Sequence, residues 1–205
     1  DPKASKWRPD KQHILTHRAA WFGCACCPAN IARLIASVDR YIYTVKDNTI
    51  LSHQFIANQA SFENGASIEQ NSNFPWDGDV KYQVKAGKAP FKFGIRIPSW
   101  SPDFILTVNG EKVDQVPENG FIYFDVAEDD LTIELDLDMS VKYMIANNRV
   151  KDDFGKVAIQ RGPIVYAAEE EDNRKPLWTS KIVVDGQNNA QFEKDLLGGV
   201  TTVTV

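Results

Sequence analysis

Long apolar runs are missing from this 205-residue chain: no stretch of about 18 consecutive apolar residues exists, so no helix here crosses a bilayer. Runs of one basic sign are missing too. The 23 Lys and Arg stand against 28 Asp and Glu, a net charge of −5, which argues against nucleic acid as the main partner. No glycine-rich phosphate loop and no G-x-S-x-G elbow appears. There is no internal repeat and no low-complexity segment. Cysteine is scarce and oddly placed. All three fall within four positions, Cys24, Cys26 and Cys27, whereas a secreted disulfide framework scatters an even number along the chain. A Cys26–Cys27 bond would close a small, strained ring. Free thiols or thiolates gathered for metal or chemistry are the better reading.

The composition that remains is that of a globular protein, with 43% hydrophobic and 25% charged residues. The sequence starts at Asp1 with no charged-then-apolar leader, and Val200–Val205 reads as a strand at its other end. The chain therefore reads as a piece of a longer protein, compatible with a periplasmic or a cytoplasmic parent.

Periodicity divides the chain. Lys11 to Phe22 suits a short helix or an irregular approach. Ile31, Leu34, Ile35 and Val38 recur at i, i+3, i+4 and i+7, and Pro28 suits a first turn, so the spacing predicts a helix over about 28–40. From Tyr41 the period becomes two. Tyr41–Val45 is β-branched and aromatic and breaks at Asp47-Asn48. Phe91, Phe93, Ile95 and Ile97 alternate with polar residues or glycine. Phe104, Leu106 and Val108 alternate up to Asn109-Gly110, a hairpin signal. Leu131, Ile133, Leu135 and Leu137 alternate with Thr132, Glu134 and Asp136, one face apolar and one largely acidic. Short strands punctuated by Gly, Pro and Asn predict β-sandwich architecture. The polar stretch Asn147–Asp153 marks a boundary, and Glu169–Asp172 reads as a solvated loop.

Three readings compete for the cysteines. They are buried apolar residues; or metal ligands, since Cys24-x-x-Cys27 has zinc spacing but lacks a second pair; or a nucleophile, which needs an acid/base partner. Cys26 and Cys27 fall just before the predicted helix, where backbone N–H groups and the positive dipole end favour anions. His13 and His17, spaced i, i+4 without an intervening metalloprotease glutamate, read as polar or packing residues, and His53 as structural. Trp76, Trp100 and Trp178 are packing residues or, in a non-catalytic carbohydrate-binding sandwich, platforms for sugar rings. Asp77 and Asp79 flank Gly78 in turn chemistry. Arg161-Gly162-Pro163 reads as a turn between strands, with Arg161 available for an interdomain ion pair.

Four motifs carry a resemblance. Cys26-Cys27-Pro28-Ala29-Asn30-Ile31-Ala32-Arg33 resembles the Cys-Cys-Pro-x-Asn-x-Ala-Arg segment of glycoside hydrolase family 127, the β-L-arabinofuranosidase family. Phe74-Pro75-Trp76-Asp77-Gly78 resembles its Tyr-Pro-Trp-x-Gly, and Arg96-Ile97-Pro98-Ser99-Trp100 its Arg-Ile-Pro-x-Trp. Gly155–Tyr166 resembles its Gly-x-x-Ala-x-x-Arg-Gly-Pro-x-x-Tyr. The four are colinear and match the C-terminal third or so of a family member.

The resemblance implies a mostly β fold: two jelly-roll-like β-sandwich domains, 43–147 and 148–205, the second whole or incomplete. A remnant of an (α/α)6 catalytic barrel would precede them at 1–42. It also implies a retaining, zinc-dependent hydrolase acting on an arabinofuranose-containing glycan or glycopeptide. Cys26 would be the nucleophile and a zinc ligand, and Cys27 a second zinc ligand. Cys24 matches no ligand. The acid/base glutamate and the remaining ligands, a glutamate and a cysteine, are expected upstream of Asp1. The chain alone is therefore expected to bind zinc weakly at best and to hydrolyse nothing.

Overall fold

A computed structural model describes residues 24–169, 173, 176–184 and 187–205. His13, His17, the segment from Lys11 to Phe22, Glu170–Asp172 and the Trp178 side chain lie outside what it describes. The chain divides into two compact units, Asp1–Arg40 and Tyr41–Val205.

Among the described residues of the first unit one helix, α1, spans Cys26–Ile35. It starts two residues earlier than the apolar spacing predicts and stops five residues sooner. The stop has a local cause. The Ser37 hydroxyl donates to the Arg33 carbonyl at 2.8 Å, and the Ser37 N–H to Leu34 O at 3.1 Å, so the chain tightens into a 3-10 turn over Val38–Tyr41. Ile31, Leu34 and Ile35 share one face, as the spacing predicts, and all three are exposed.

The second unit holds the core. One sheet of four strands runs β1 (Tyr43–Lys46), β2 (Thr49–Ser52), β6 (Phe91–Arg96), β9 (Phe121–Val126). A second of six strands runs β3 (Asn58–Ser61), β4 (Ser67–Ser72), β5 (Asp79–Lys85), β10 (Leu131–Leu137), β7 (Phe104–Val108), β8 (Glu111–Lys112). All pairs are antiparallel except β2 with β6, which run parallel. Inward residues of both sheets form one apolar cluster: Ile50, Phe93, Ile95, Ile122 and Phe124 from the first, Ile68, Val80, Tyr82, Ile133 and Leu135 from the second. Tyr82 meets Phe93 edge-on across the layers, ring centroids 5.5 Å apart. This is the sandwich that the alternation predicts. β10 carries Ile133, Leu135 and Leu137 inward and Glu134 and Asp136 outward.

The turn signals fold as written. Asn109 and Gly110 both take positive φ, 51° and 85°, the two left-handed positions of a tight hairpin between β7 and β8. The Asn109 carboxamide also accepts from Thr132 N at 2.9 Å, pinning that turn to β10.

Beyond β10 a three-stranded sheet forms from β11 (Val141–Met144), β12 (Ala158–Arg161) and β13 (Ile164–Tyr166). Gly162 makes the β12–β13 turn with φ 54°, as the Arg-Gly-Pro sequence suggests. A hairpin of β14 (Asn189–Glu193) and β15 (Val200–Thr204) follows.

Candidate active site

The three cysteines are free and exposed. Exposure removes the apolar-core reading of them in this chain. Cys24 sits in a bend before α1. Cys26 and Cys27 are the first two residues of the helix rather than residues preceding it, and their sulfurs stand 4.0 Å apart. The residue at the cap is Ala25, which offers no side-chain acceptor, and the first turn carries no Asp or Glu. Among the described residues its backbone N–H groups therefore have neither a capping side chain nor an acidic counter-charge, and an anion at Cys26 or Cys27 meets the positive end of the helix. Pro28 withdraws one donor that would have been unsatisfied anyway. Arg33 and Asn30 of the same motif contact each other, Nε to Oδ1, at 3.4 Å. Among the described residues no three His, Cys, Asp or Glu side chains gather as a metal site.

The other quoted motifs meet inside the second unit. Phe74 packs on Phe55 (centroids 5.2 Å) and stacks on Trp100 (6.2 Å, planes 21° apart). Asn73 O accepts from Trp76 N at 3.0 Å and Asn73 Nδ2 donates to Asp77 at 2.8 Å, closing the turn around Pro75. Gly78 is glycine for lack of room: a Cβ there would lie 2.3 Å from the Leu137 carbonyl oxygen. Arg161 Nη1 donates to Trp76 O at 2.8 Å, and Lys142 Nζ to Trp100 O at 2.7 Å. Trp100 is thus engaged in packing through its ring, and Trp76 is tied down through its carbonyl. Asp77 and Asp79 do not form a paired acid. Asp77 is held by Asn73, whereas Asp79 faces Asp136 across the β5–β10 ladder.

Two carboxylates and a histidine of the sandwich region are perturbed. Burial and then the neighbouring Asp79 and Asp138 raise Asp136 above the usual carboxylate range. The Ser140 amide, the Ser140 hydroxyl and Lys142 hold Asp138 down to about 2. His53, bonded through Nε2 to the Thr44 hydroxyl at 2.9 Å, is lowered by burial and then by Arg96. Its ring lies edge-on to Phe121, so its role is structural. Sequence reasoning passed over Gln70, which is fully buried yet satisfied. It accepts from Ser52 Oγ and donates to the Gln54 and Ile56 carbonyls. A single polar residue in a polar strand sequence gives no sign of facing inward.

Residues 49–139 match the model of the β-L-arabinofuranosidase GH127 middle domain, and residues 141–201 the glycoside hydrolase family 127 C-terminal domain. The chain belongs to glycoside hydrolase family 127. A non-reducing end β-L-arabinofuranosidase of Bifidobacterium longum is 56% identical over 207 aligned residues, covering 95% of this chain and 31% of that protein. The crystal structure of a GH127 β-L-arabinofuranosidase from Geobacillus stearothermophilus T6 superposes with a TM-score of 0.90 at 40% identity, over 98% of this chain and 33% of that one. A second GH127 β-arabinofuranosidase structure gives 0.83 at 30% identity, over 91% of this chain and 33% of its own. The chain thus spans about a third of the length of these family 127 relatives.

Proposed function

We propose that this chain is the C-terminal part of a zinc-dependent, retaining β-L-arabinofuranosidase in which Cys26 is the nucleophile. The supporting observation is the pair of adjacent, exposed thiols on the uncapped first turn of α1, in a chain of this family. The Cys26 sulfur attacks the anomeric carbon of an arabinofuranose-containing glycan or glycopeptide. The carbon–sulfur bond forms as the bond to the leaving oxygen breaks, and that oxygen takes a proton from an acid which the parent supplies outside these 205 residues. Water deprotonated by the same group then displaces the sulfur, and two inversions give retention.

The donor set fits zinc as half a site. Two thiolates on one tetrahedral zinc at ~2.3 Å each stand about 3.8 Å apart, and the sulfurs of Cys26 and Cys27 are 4.0 Å apart. Both cysteines would hold the ion, which when bound keeps sulfur ionised at neutral pH. Cys24 is left outside the set.

The 205-residue chain should release no arabinose from a β-L-arabinofuranoside and should carry no stoichiometric zinc. The parent should lose at least about a thousandfold in rate on Cys26→Ser, the scale of losing a covalent nucleophile. Full activity in that variant overturns the assignment.

A further inference from the structure

Three buried polar atoms on the β11–β12–β13 sheet have no hydrogen-bond partner among the described residues: Tyr143 Oη, Tyr166 Oη and Arg161 Nε. The strand register puts them on one face. Tyr143 and Tyr166 flank Ile159 on either side, and Arg161 follows two residues along β12, on the same face. The guanidinium is half-buried, and none of the ion pairs among the described residues involves it. Its Nη1 is committed to the Trp76 carbonyl. That leaves the side-on edge, the one carrying Nε and the usual docking edge for a carboxylate. Burial raises the Tyr166 hydroxyl, and the Arg161 guanidinium opposes that rise by its charge and by hydrogen bonding at a geometry looser than an ordinary bond.

A buried guanidinium Nε–H and two buried hydroxyls left without acceptors are costly together, and each is a donor. An ionised carboxylate is an acceptor only and takes several such bonds at once. We propose that Arg161, Tyr143 and Tyr166 form a carboxylate-binding niche. The guanidinium edge and the two phenolic hydroxyls donate to one carboxylate, either a small free acid or an acidic side chain of the protein itself. The niche is independent of the cysteine chemistry and stands or falls separately from it.

The test follows the Arg161 Nε–Hε resonance in the full chain labelled with 15N-arginine, assigned by its loss in Arg161→Lys. Sodium acetate is titrated against sodium chloride at equal ionic strength. A saturable shift with acetate and none with chloride is expected. Tyr143→Phe combined with Tyr166→Phe should weaken acetate binding about tenfold with an unchanged far-UV spectrum, and each single variant should show part of that loss. A second chain with Glu169, Glu170, Glu171 and Asp172 neutralised to Gln or Asn separates the two sources. If the resonance becomes sensitive to acetate only there, an internal carboxylate occupies the niche. A resonance unmoved by acetate in both chains overturns the proposal, as does one that moves equally in the double phenylalanine variant.

Discussion

Asp136 and Asp138 stand two residues apart, the first in β10 and the second just past its end, and their surroundings push them in opposite directions. Asp138 accepts from Ser140 N at 2.8 Å and pairs with Lys142 at 3.0 Å, whereas Asp136 faces Asp79 directly across the ladder. Their pH signatures therefore differ in sign. The raised Asp136 is least favourable when ionised, so Asp136→Asn should raise the melting temperature by about 1–2 °C at pH 7, the worth of an exposed like-charge pair. That gain should vanish as the pH falls below the ordinary value of 3.8, where the carboxyl is already protonated. The lowered Asp138 stabilises above pH 3.8 and loses that contribution as the pH drops toward 2. Asp138→Asn should lower the melting temperature at neutral pH and flatten this acid limb. His53 behaves like Asp138 in sign but higher on the scale. Its folded-state value lies below the ordinary 6.5, so stability should decline as the pH falls through and below 6.5. His53→Gln should remove that slope, and thermal melts across pH 4–8 read it directly.

At the scale of elements, strict alternation was legible wherever one face is buried and the other wet. β6 and β10 and the Asn109-Gly110 turn follow from side-chain period and turn chemistry alone. β3 and β4 do not. Asn58–Ser61 and Ser67–Ser72 are largely polar sequences that pair with each other and, through β4, with β5, while the Gln70 amide turns inward to the Gln54 and Ile56 carbonyls. Helix α1 was legible from its apolar stripe, but its ends were not. The start has no capping side chain, and the stop comes from a serine bonding back to the preceding turn. The cysteine pair was visible as a motif, whereas the Arg161 niche needed the register of three strands, which no spacing along the chain reveals. Gly78 tests the close approach between the Trp76 turn and the end of β10. Gly78→Ala should cost about 1–3 kcal/mol by urea denaturation, since the intruding atom meets backbone rather than a movable side chain.

At the scale of the molecule, the buried apolar residues among those described run from Ile42 to Ile159, and none lies in α1. Isolated α1, at ten residues, is too short to persist in water by propensity alone. Its Ile31, Leu34 and Ile35 are exposed, and the chain spans about a third of the length of its family 127 relatives.

The parallel pairing of β2 with β6 sets an order of events on the ribosome. Thr49–Ser52 must wait unpaired on one edge until Phe91–Arg96 has been synthesised, and β5 cannot gain its inner neighbour until Leu131–Leu137 emerges. Such long-range closure is slow compared with hairpin formation. Most of the sandwich's sequence must therefore be translated before its core can seal, so a nascent chain stalled before Leu131 would present sticky strands to chaperones and proteases rather than a partly finished domain.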